Sequence, residues 1–186
     1  YPGVFAYVYL IIALGRAYAA NFEKIKGFEN DSTHHPLAGF LGIKNVVQKE
    51  DELVAFVGNA KNSPIEGPSY QVALILEYLG RKLGKKFTVY LATQSPKGMF
   101  GILPVDWIPN QVNSYAEKRG IKLIKGAYVQ GMSGHKVLLS NGLEVEADLI
   151  SILPTLSAPT VVKNAGLTDD SGFISVEHPT FRSTLY

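Results

Sequence analysis

Cysteine is missing from all 186 residues. A chain without it has no disulfide framework, no thiolate zinc site and no thiol nucleophile. Cysteine-free chains are at home in reducing cytosol, so the absence favours an intracellular setting. Charge is also sparse. Lys and Arg exceed Asp and Glu by only two, and no sustained basic run occurs, which leaves no electrostatic footprint for nucleic acid. The four basic residues Arg81, Lys82, Lys85 and Lys86 follow a helical pattern and read as a solvated helix end. No apolar run approaches the roughly 20 residues of a spanning helix. The run near the N-terminus stops at Gly15-Arg16 with no basic segment before it, which also argues against a signal peptide. The glycine fingerprint G-x-G-x-x-G occurs nowhere, although those glycines let a pyrophosphate approach a helix N-terminus.

What remains is globular. Hydrophobic residues make up 46% and charged ones 18%, enough apolar matter to bury a core in one domain or one and a half. Residues 9–15 form a short apolar run that stops at glycine, the pattern of a buried strand ending in a tight turn. Such a strand needs partners on both sides, and only eight residues precede it. Residues 173–176 and 181–186 end in mid-pattern. Both ends therefore read as the edges of a piece from the middle of a larger protein. A polar cluster at residues 30–33 caps an expected helix over 37–48, weakened by Gly39 and Gly42.

From residue 53 the pattern sharpens. Residues 53–58 read as a buried strand, residues from 70 onward as a helix closed by Gly80 or Gly84, and 86–92 as a strand. Together they form a βαβ unit, whose strands are parallel. A helix over 106–119 follows, with Asp106 as its cap, Pro109 in its first turn and Val112, Tyr115 and Ala116 on one side. Residues 121–124 are another strand. Residues 127–129, 135–140 and 143–146 read as an antiparallel meander, with Asn141-Gly142 as a type I′ hairpin turn. Residues 148–153 return to a buried strand. The expectation is an α/β fold: an open, mostly parallel, Rossmann-like sheet of the dinucleotide-binding type with an antiparallel β-meander. No internal repeat or low-complexity linker interrupts it.

Three segments carry a family resemblance. Residues 7–15 resemble the "Y-D-x-L-[IV]-[IV]-A-T-G" strand of the FAD-dependent pyridine nucleotide-disulfide oxidoreductase superfamily, with Val8 in place of Asp and Leu14 in place of Thr. Gly172-Phe173-Ile174-Ser175-Val176, followed by residues 178–184, resembles the segment before that superfamily's second FAD-contacting motif. Gly67-Pro68-Ser69-Tyr70-Gln71 resembles the "G-P-A-Y-E" turn of the sulfide:quinone oxidoreductase and flavocytochrome c sulfide dehydrogenase branch. The resemblance implies a crossover segment from the FAD domain at 1–48, a central NAD-type α/β domain at 49–153 and a return segment at 154–186. It further implies FAD as cofactor, with Ala13, Leu14, Gly15, Gly67 and Pro68 beside it. A quinone or a similar small carrier would accept electrons from sulfide or a similar donor, in the cytoplasm or peripherally on the cytoplasmic membrane through a missing C-terminus.

The same comparison marks departures. That branch places a redox cysteine two residues before the G-P and a glutamate four residues after the glycine; Ile65 and Gln71 stand there. Isoleucine forms neither persulfide nor flavin adduct, and glutamine has no titratable proton to relay. Thr93-Gln94-Ser95 stands where a nucleotide-binding strand would end in an acid for the ribose. Tight NAD binding is therefore not expected, nor tight FAD binding by this chain alone. The bland alternative for residues 67–70 is a helix start capped by Ser69 with Tyr70 packed inward. His34-His35 read as a solvated loop, since adjacent histidines point apart and no third ligand is spaced to join them; no metal site is expected. His135 and His178 have no triad partner at recognisable spacing. Met99, Phe100 and Trp107, beside Gly98 and Gly101, form either a pocket wall or a core edge. Two other function classes stay open: a non-catalytic interaction or scaffold module, and a type II NADH dehydrogenase relative.

Overall fold

The computed structural model describes residues 3, 6–18, 47–63 and 66–185. The chain divides into two compact units, residues 1–18 with 156–186, and residues 19–155.

The larger unit is built on a parallel sheet. Its strands are β2 (Glu52–Asn59), β3 (Lys86–Thr93), β4 (Lys122–Lys125) and β8 (Leu149–Leu153), in the spatial order β4-β3-β2-β8. All three pairings are parallel. The chain leaves β2 toward β3 on one side, while β8 returns to its other side. The strand order thus reverses at β2, as it does at the first strand of a dinucleotide-binding sheet.

Helix α1 (Gly67–Leu83) connects β2 to β3, and α2 (Trp107–Lys118) connects β3 to β4. Both pack on one face of the sheet. Leu53, Ala55 and Val57 of β2 point to Ala73, Leu76 and Ala116 of the helices. Phe56 and Ile150 point the opposite way, as the period of two along a strand requires. That second face is covered by the meander of β5 (Val129–Ser133), β6 (Lys136–Leu139) and β7 (Glu144–Glu146), through Val129, Met132, Val137, Leu139 and Val145.

Gly80 lies buried inside α1, where an added Cβ would meet the Cβ and ring of Phe87 on β3 at 2.8–2.9 Å. The missing side chain sets how closely the helix approaches the sheet. Gly84, with φ of 67°, ends α1 in the left-handed conformation, and the Lys85 N–H reaches the Gly80 carbonyl at 2.8 Å. Lys85 is not a solvated member of the basic cluster. Its ammonium donates to the carbonyls of Val47, Gln48 and Glu50 at 2.9–3.1 Å, at and just after the helical residues 47–49. The rest of the helix expected over 37–48, and its cap at 30–33, lie outside the described residues.

In the smaller unit β1 (Ala17–Tyr18) pairs antiparallel with β9 (Leu156–Ser157), and α3 (Thr160–Asn164) follows. A bridge joins Val176 to Ser183.

Four local expectations are corrected. Residues 9–16 form no strand, and Val8, Tyr9, Ile11 and Leu14 are exposed. No described strand lies beside this run, so its backbone has no ladder and its side chains have no face to bury. The hairpin between β6 and β7 is not type I′, because only Gly142 (φ 83°) takes a positive φ and Asn141 does not. The bonds Gly142 N–H to Leu139 O and Leu139 N–H to Leu143 O instead define a three-residue loop with glycine in the left-handed position. Asp106 stands at the N-cap of α2, but its carboxylate pairs with Lys97 at 2.6 Å rather than with the helix. Tyr115 faces outward, and Asn113 shares the buried side with Ala116.

Candidate functional site

Eight polar residues are buried among those described, and seven of them gather at one end of the parallel sheet: Asn59, Ser63, Glu66, Ser69, Thr93, Ser95 and Asn113. They occupy the carboxyl ends of β2 and β3, the start of α1 and the inner side of α2. Open α/β sheets receive ligands at this edge, and this one has filled it with its own polar groups.

Glu66 is the centre of the cluster. It stands at the N-cap of α1, yet its side chain turns away from the helix. One carboxylate oxygen accepts the Thr93 hydroxyl and the other accepts the Phe100 N–H at 2.5 Å. Thr93 Oγ1 in turn accepts the Ser95 N–H. Both oxygens of a carboxylate that is 6% exposed are thus satisfied. Asn113 works on the same loop from the opposite side. Its Oδ1 accepts the Met99 N–H at 2.9 Å and its Nδ2 donates to the Lys97 carbonyl at 2.7 Å. Gly98 (φ 88°) presses so closely on Asn113 that a Cβ there would lie 2.3 Å from the amide. Between them Phe100 is held at φ 58°, a conformation few non-glycine residues adopt, with its ring edge-on to Tyr70.

Ser69 is not the helix cap. Its hydroxyl donates to Asn59 Oδ1 at 2.5 Å, inside the β2–α1 turn, and the N-cap position falls on Glu66. Tyr70 packs inward as expected, its hydroxyl donating to the Val112 carbonyl at 3.3 Å. Burial, and then the neighbouring Tyr115, push its phenol above the ordinary value, so it is a fixed donor and not a proton acceptor. Gln94 clamps the β2–α1 loop, accepting from Asn62 N–H and donating to the Ser63 carbonyl. The Ser63 hydroxyl is buried without a partner.

The residues singled out in the sequence are scattered. Gly67 is half-buried and Pro68 and Gln71 are exposed, whereas Ile65 lies outside the described residues. Ala13, Leu14 and Gly15 are exposed and belong to the smaller unit. An added Cβ at Gly15 or Gly67 would meet nothing within 4 Å. None of these five residues carries a polar side chain, so none offers a side-chain hydrogen bond to a ligand. Met99 and Trp107 separate: Met99 is fully buried in the core and Trp107 is 67% exposed. His135 bonds the Ala147 carbonyl within the meander, and His178 lies against Phe181. His34 and His35 lie outside the described residues. Among the described residues no cluster of ligands suits a metal ion, and no helix is long and apolar enough to cross a membrane.

Glu66 and Asn113 were missed in the sequence. Glu66 had one signal, the single carboxylate of the β2–α1 turn, set between Ile65 and Gly67; Asn113 had none beyond its place in a helix.

Strand order, crossing helices and meander together define a Rossmann-like α/β domain of the dinucleotide-binding type. No protein-family profile matches the chain. It is 26% identical over 172 residues to the sulfide-quinone reductase of Aquifex aeolicus (strain VF5), covering 86% of this chain and 39% of that protein. It is 24% identical over 196 residues to the mitochondrial sulfide:quinone oxidoreductase of Mus musculus, covering 97% and 43%. The crystal structure of the sulfide:quinone oxidoreductase from Aquifex aeolicus superimposes with a TM-score of 0.82 at 24% identity, over 97% of this chain and 44% of that one. A NAD-dependent persulfide reductase from A. fulgidus shares the fold at a TM-score of 0.61 and 14% identity, over 88% and 29%. The chain's homologues are sulfide:quinone oxidoreductases, as its motifs suggested, and it spans about four-tenths of the length of the curated relatives it matches.

Proposed function

We propose that this chain is the central part of a FAD-dependent oxidoreductase that passes electrons from sulfide or a similar donor to a quinone. The observation that supports this reading is the near end-to-end alignment with two curated sulfide:quinone oxidoreductases. In this proposal residues 49–153 are the central domain, and residues 1–48 and 154–186 lead from and to a FAD domain. Ala13, Leu14, Gly15, Gly67 and Pro68 lie beside the flavin. When bound, FAD supplies the two-electron chemistry, and the protein supplies surface and orientation. The setting is cytoplasmic or peripheral on the cytoplasmic membrane.

A second reading rests on its own observation. Ile65 and Gln71 replace the residues on which the familiar sulfide route depends, and the carboxylate and the Asn113 amide of the buried polar cluster are engaged in holding loops. On this reading the domain is a non-catalytic scaffold. Purification of the protein carrying this chain, flavin absorbance and quinone reduction by sulfide or NADH separate the readings. Bound flavin with sulfide-dependent quinone reduction supports the first. Colourless protein that takes up no added FAD supports the scaffold, and reduction by NADH in place of sulfide refutes both.

A further inference from the structure

The C-terminal ends of α1 and α2 are joined in a patch of cations, tyrosines and aliphatic side chains. Glu77 of α1, with its side chain 14% exposed, pairs with Arg81 of its own helix at 3.3 Å. It also pairs with Arg119, just past the end of α2, at 2.8 Å. One carboxylate thus holds two guanidiniums of like charge side by side. Arg81 and Lys82 stand over the Tyr78 ring, 5.5 and 5.7 Å from its centre, and Arg119 stands 5.8 Å from the centre of Tyr115. Ile75, Tyr78 and Lys82 follow one another at helical spacing along the exposed side of α1. Ile75, Tyr78, Leu83 and Tyr115 are each about half exposed.

Positive charge gathers here. Four cations, Arg81, Lys82, Lys118 and Arg119, stand at the two helix ends against the Glu77 carboxylate, an excess of three, whereas the whole chain carries only +2. The carboxylates of Asp51, Glu52 and Glu117 nearby are each matched by a lysine at 3.2–3.6 Å. Cations at helix ends are common, because the dipole favours them there. The half-exposed rings and aliphatic groups set among these ones are not explained by the dipole.

We propose that this patch is a docking surface for an anionic lipid bilayer. The ammonium and guanidinium groups meet lipid phosphates, while Tyr78, Tyr115, Ile75 and Leu83 enter the headgroup layer. Rings with a polar tip, and cations carried on apolar stems, are the side chains that settle at a membrane–water interface. Nucleic acid would use the cations and offer nothing to Ile75 and Leu83. A neutral apolar surface would use those two and leave the charge excess unmatched. An anionic bilayer satisfies both sets of groups at once. The patch includes none of the residues proposed to lie beside the flavin, so it would serve an oxidoreductase and a scaffold alike.

The test floats the full chain with vesicles of phosphatidylcholine alone and of phosphatidylcholine mixed with phosphatidylglycerol, at low and at high salt. The readout is the difference between the two compositions, because the exposed apolar residues near the N-terminus would hold to either. Wild-type protein is expected to prefer the mixed vesicles by about tenfold or more, and high salt should remove most of that preference. Lys82→Gln and Lys118→Gln change exposed side chains that form no ion pair among the described residues. Each should weaken binding to mixed vesicles about fivefold, the scale of one cation at a charged membrane surface. Leu83→Ser leaves the charge unchanged and should weaken binding as well. Lys136→Gln, in the meander, removes an equal charge elsewhere and should change nothing. The proposal is overturned by wild-type binding that ignores phosphatidylglycerol, by Lys82 and Lys118 variants that bind as well as wild type, or by an equal loss in Lys136→Gln. Indifference to Leu83→Ser would also overturn it, marking the patch as a site for any polyanion.

Discussion

Replacing Gly80 by alanine should destabilise this protein, against the ordinary preference of helices. Gly80 sits in the interior of α1, where alanine is worth about 1 kcal/mol more than glycine by intrinsic propensity. An added Cβ, however, would lie 2.8 Å from the Cβ and Cγ of Phe87, well inside van der Waals contact. The nearest of these atoms is bonded to the backbone of β3 and cannot swing aside, so helix and strand must part. Overpacking of this kind costs about 1–3 kcal/mol, and contact with a fixed atom belongs at the upper end. The net expectation is a loss of about 1–2 kcal/mol, read as a lower midpoint in urea unfolding followed by circular dichroism at constant m-value. Deleting the obstacle should reverse the sign. In a Phe87→Gly background, which removes the Cβ as well as the ring, the same Gly80→Ala change should stabilise by up to about 1 kcal/mol, a coupling of roughly 2 kcal/mol between two touching residues. A higher midpoint for Gly80→Ala in the wild-type background would refute the close approach of α1 to β3.

Lys85→Met removes an ammonium that serves three carbonyls at 2.9–3.1 Å, and should lower stability by about 2 kcal/mol while speeding proteolysis near residues 47–51. Unchanged cleavage would show that Lys85 does not hold that segment. Asn113→Ala leaves the Met99 N–H and the Lys97 carbonyl without their partner and should cost about 1–3 kcal/mol, with faster amide exchange at residues 97–101 than in the meander. The Asp169 carboxylate accepts the Ser171 and Ser175 hydroxyls and the Ser171 N–H, which hold it below the usual carboxylate range. A folded value below the unfolded one means that its contribution is present above the unfolded value and is lost as pH falls through the folded one. Carboxyl-carbon NMR titration should place Asp169 below the ordinary aspartate value, and Ser171→Ala should raise it; a titration at the ordinary value would remove the turn from the account.

The parallel sheet was legible because its signals are local and redundant. Residues 53–58 and 86–92 are apolar and bounded by glycine or polar residues, and the helix between them has its period. The meander was found from Asn141-Gly142, although the turn type came out wrong: one residue with positive φ, not two, is enough when the loop has three residues. Residues 9–15 misled for the opposite reason. An apolar run states that burial is available, not that a partner is there, and a strand exists only with its ladder. The cap position was right at Asp106 and wrong at Ser69, and neither side chain caps its helix, because each found a partner elsewhere, Lys97 and Asn59. Local pattern has no access to those competitors.

The candidate site was illegible on the same grounds, more severely. Glu66 meets Thr93 across 27 positions and Phe100 across 34, and Asn113 meets Met99 across 14. None of these pairs has a periodicity to find. The lack of a glycine fingerprint after β2 is a separate matter, because the Glu66 carboxylate serves other donors, the Thr93 hydroxyl at the end of β3 and the Phe100 N–H in the loop beyond it. Those contacts have a reason of their own: a buried unpaired N–H costs about 1–3 kcal/mol, so the loop that holds Phe100 at a positive φ needs an acceptor from another element, and α1 supplies it from its N-cap residue.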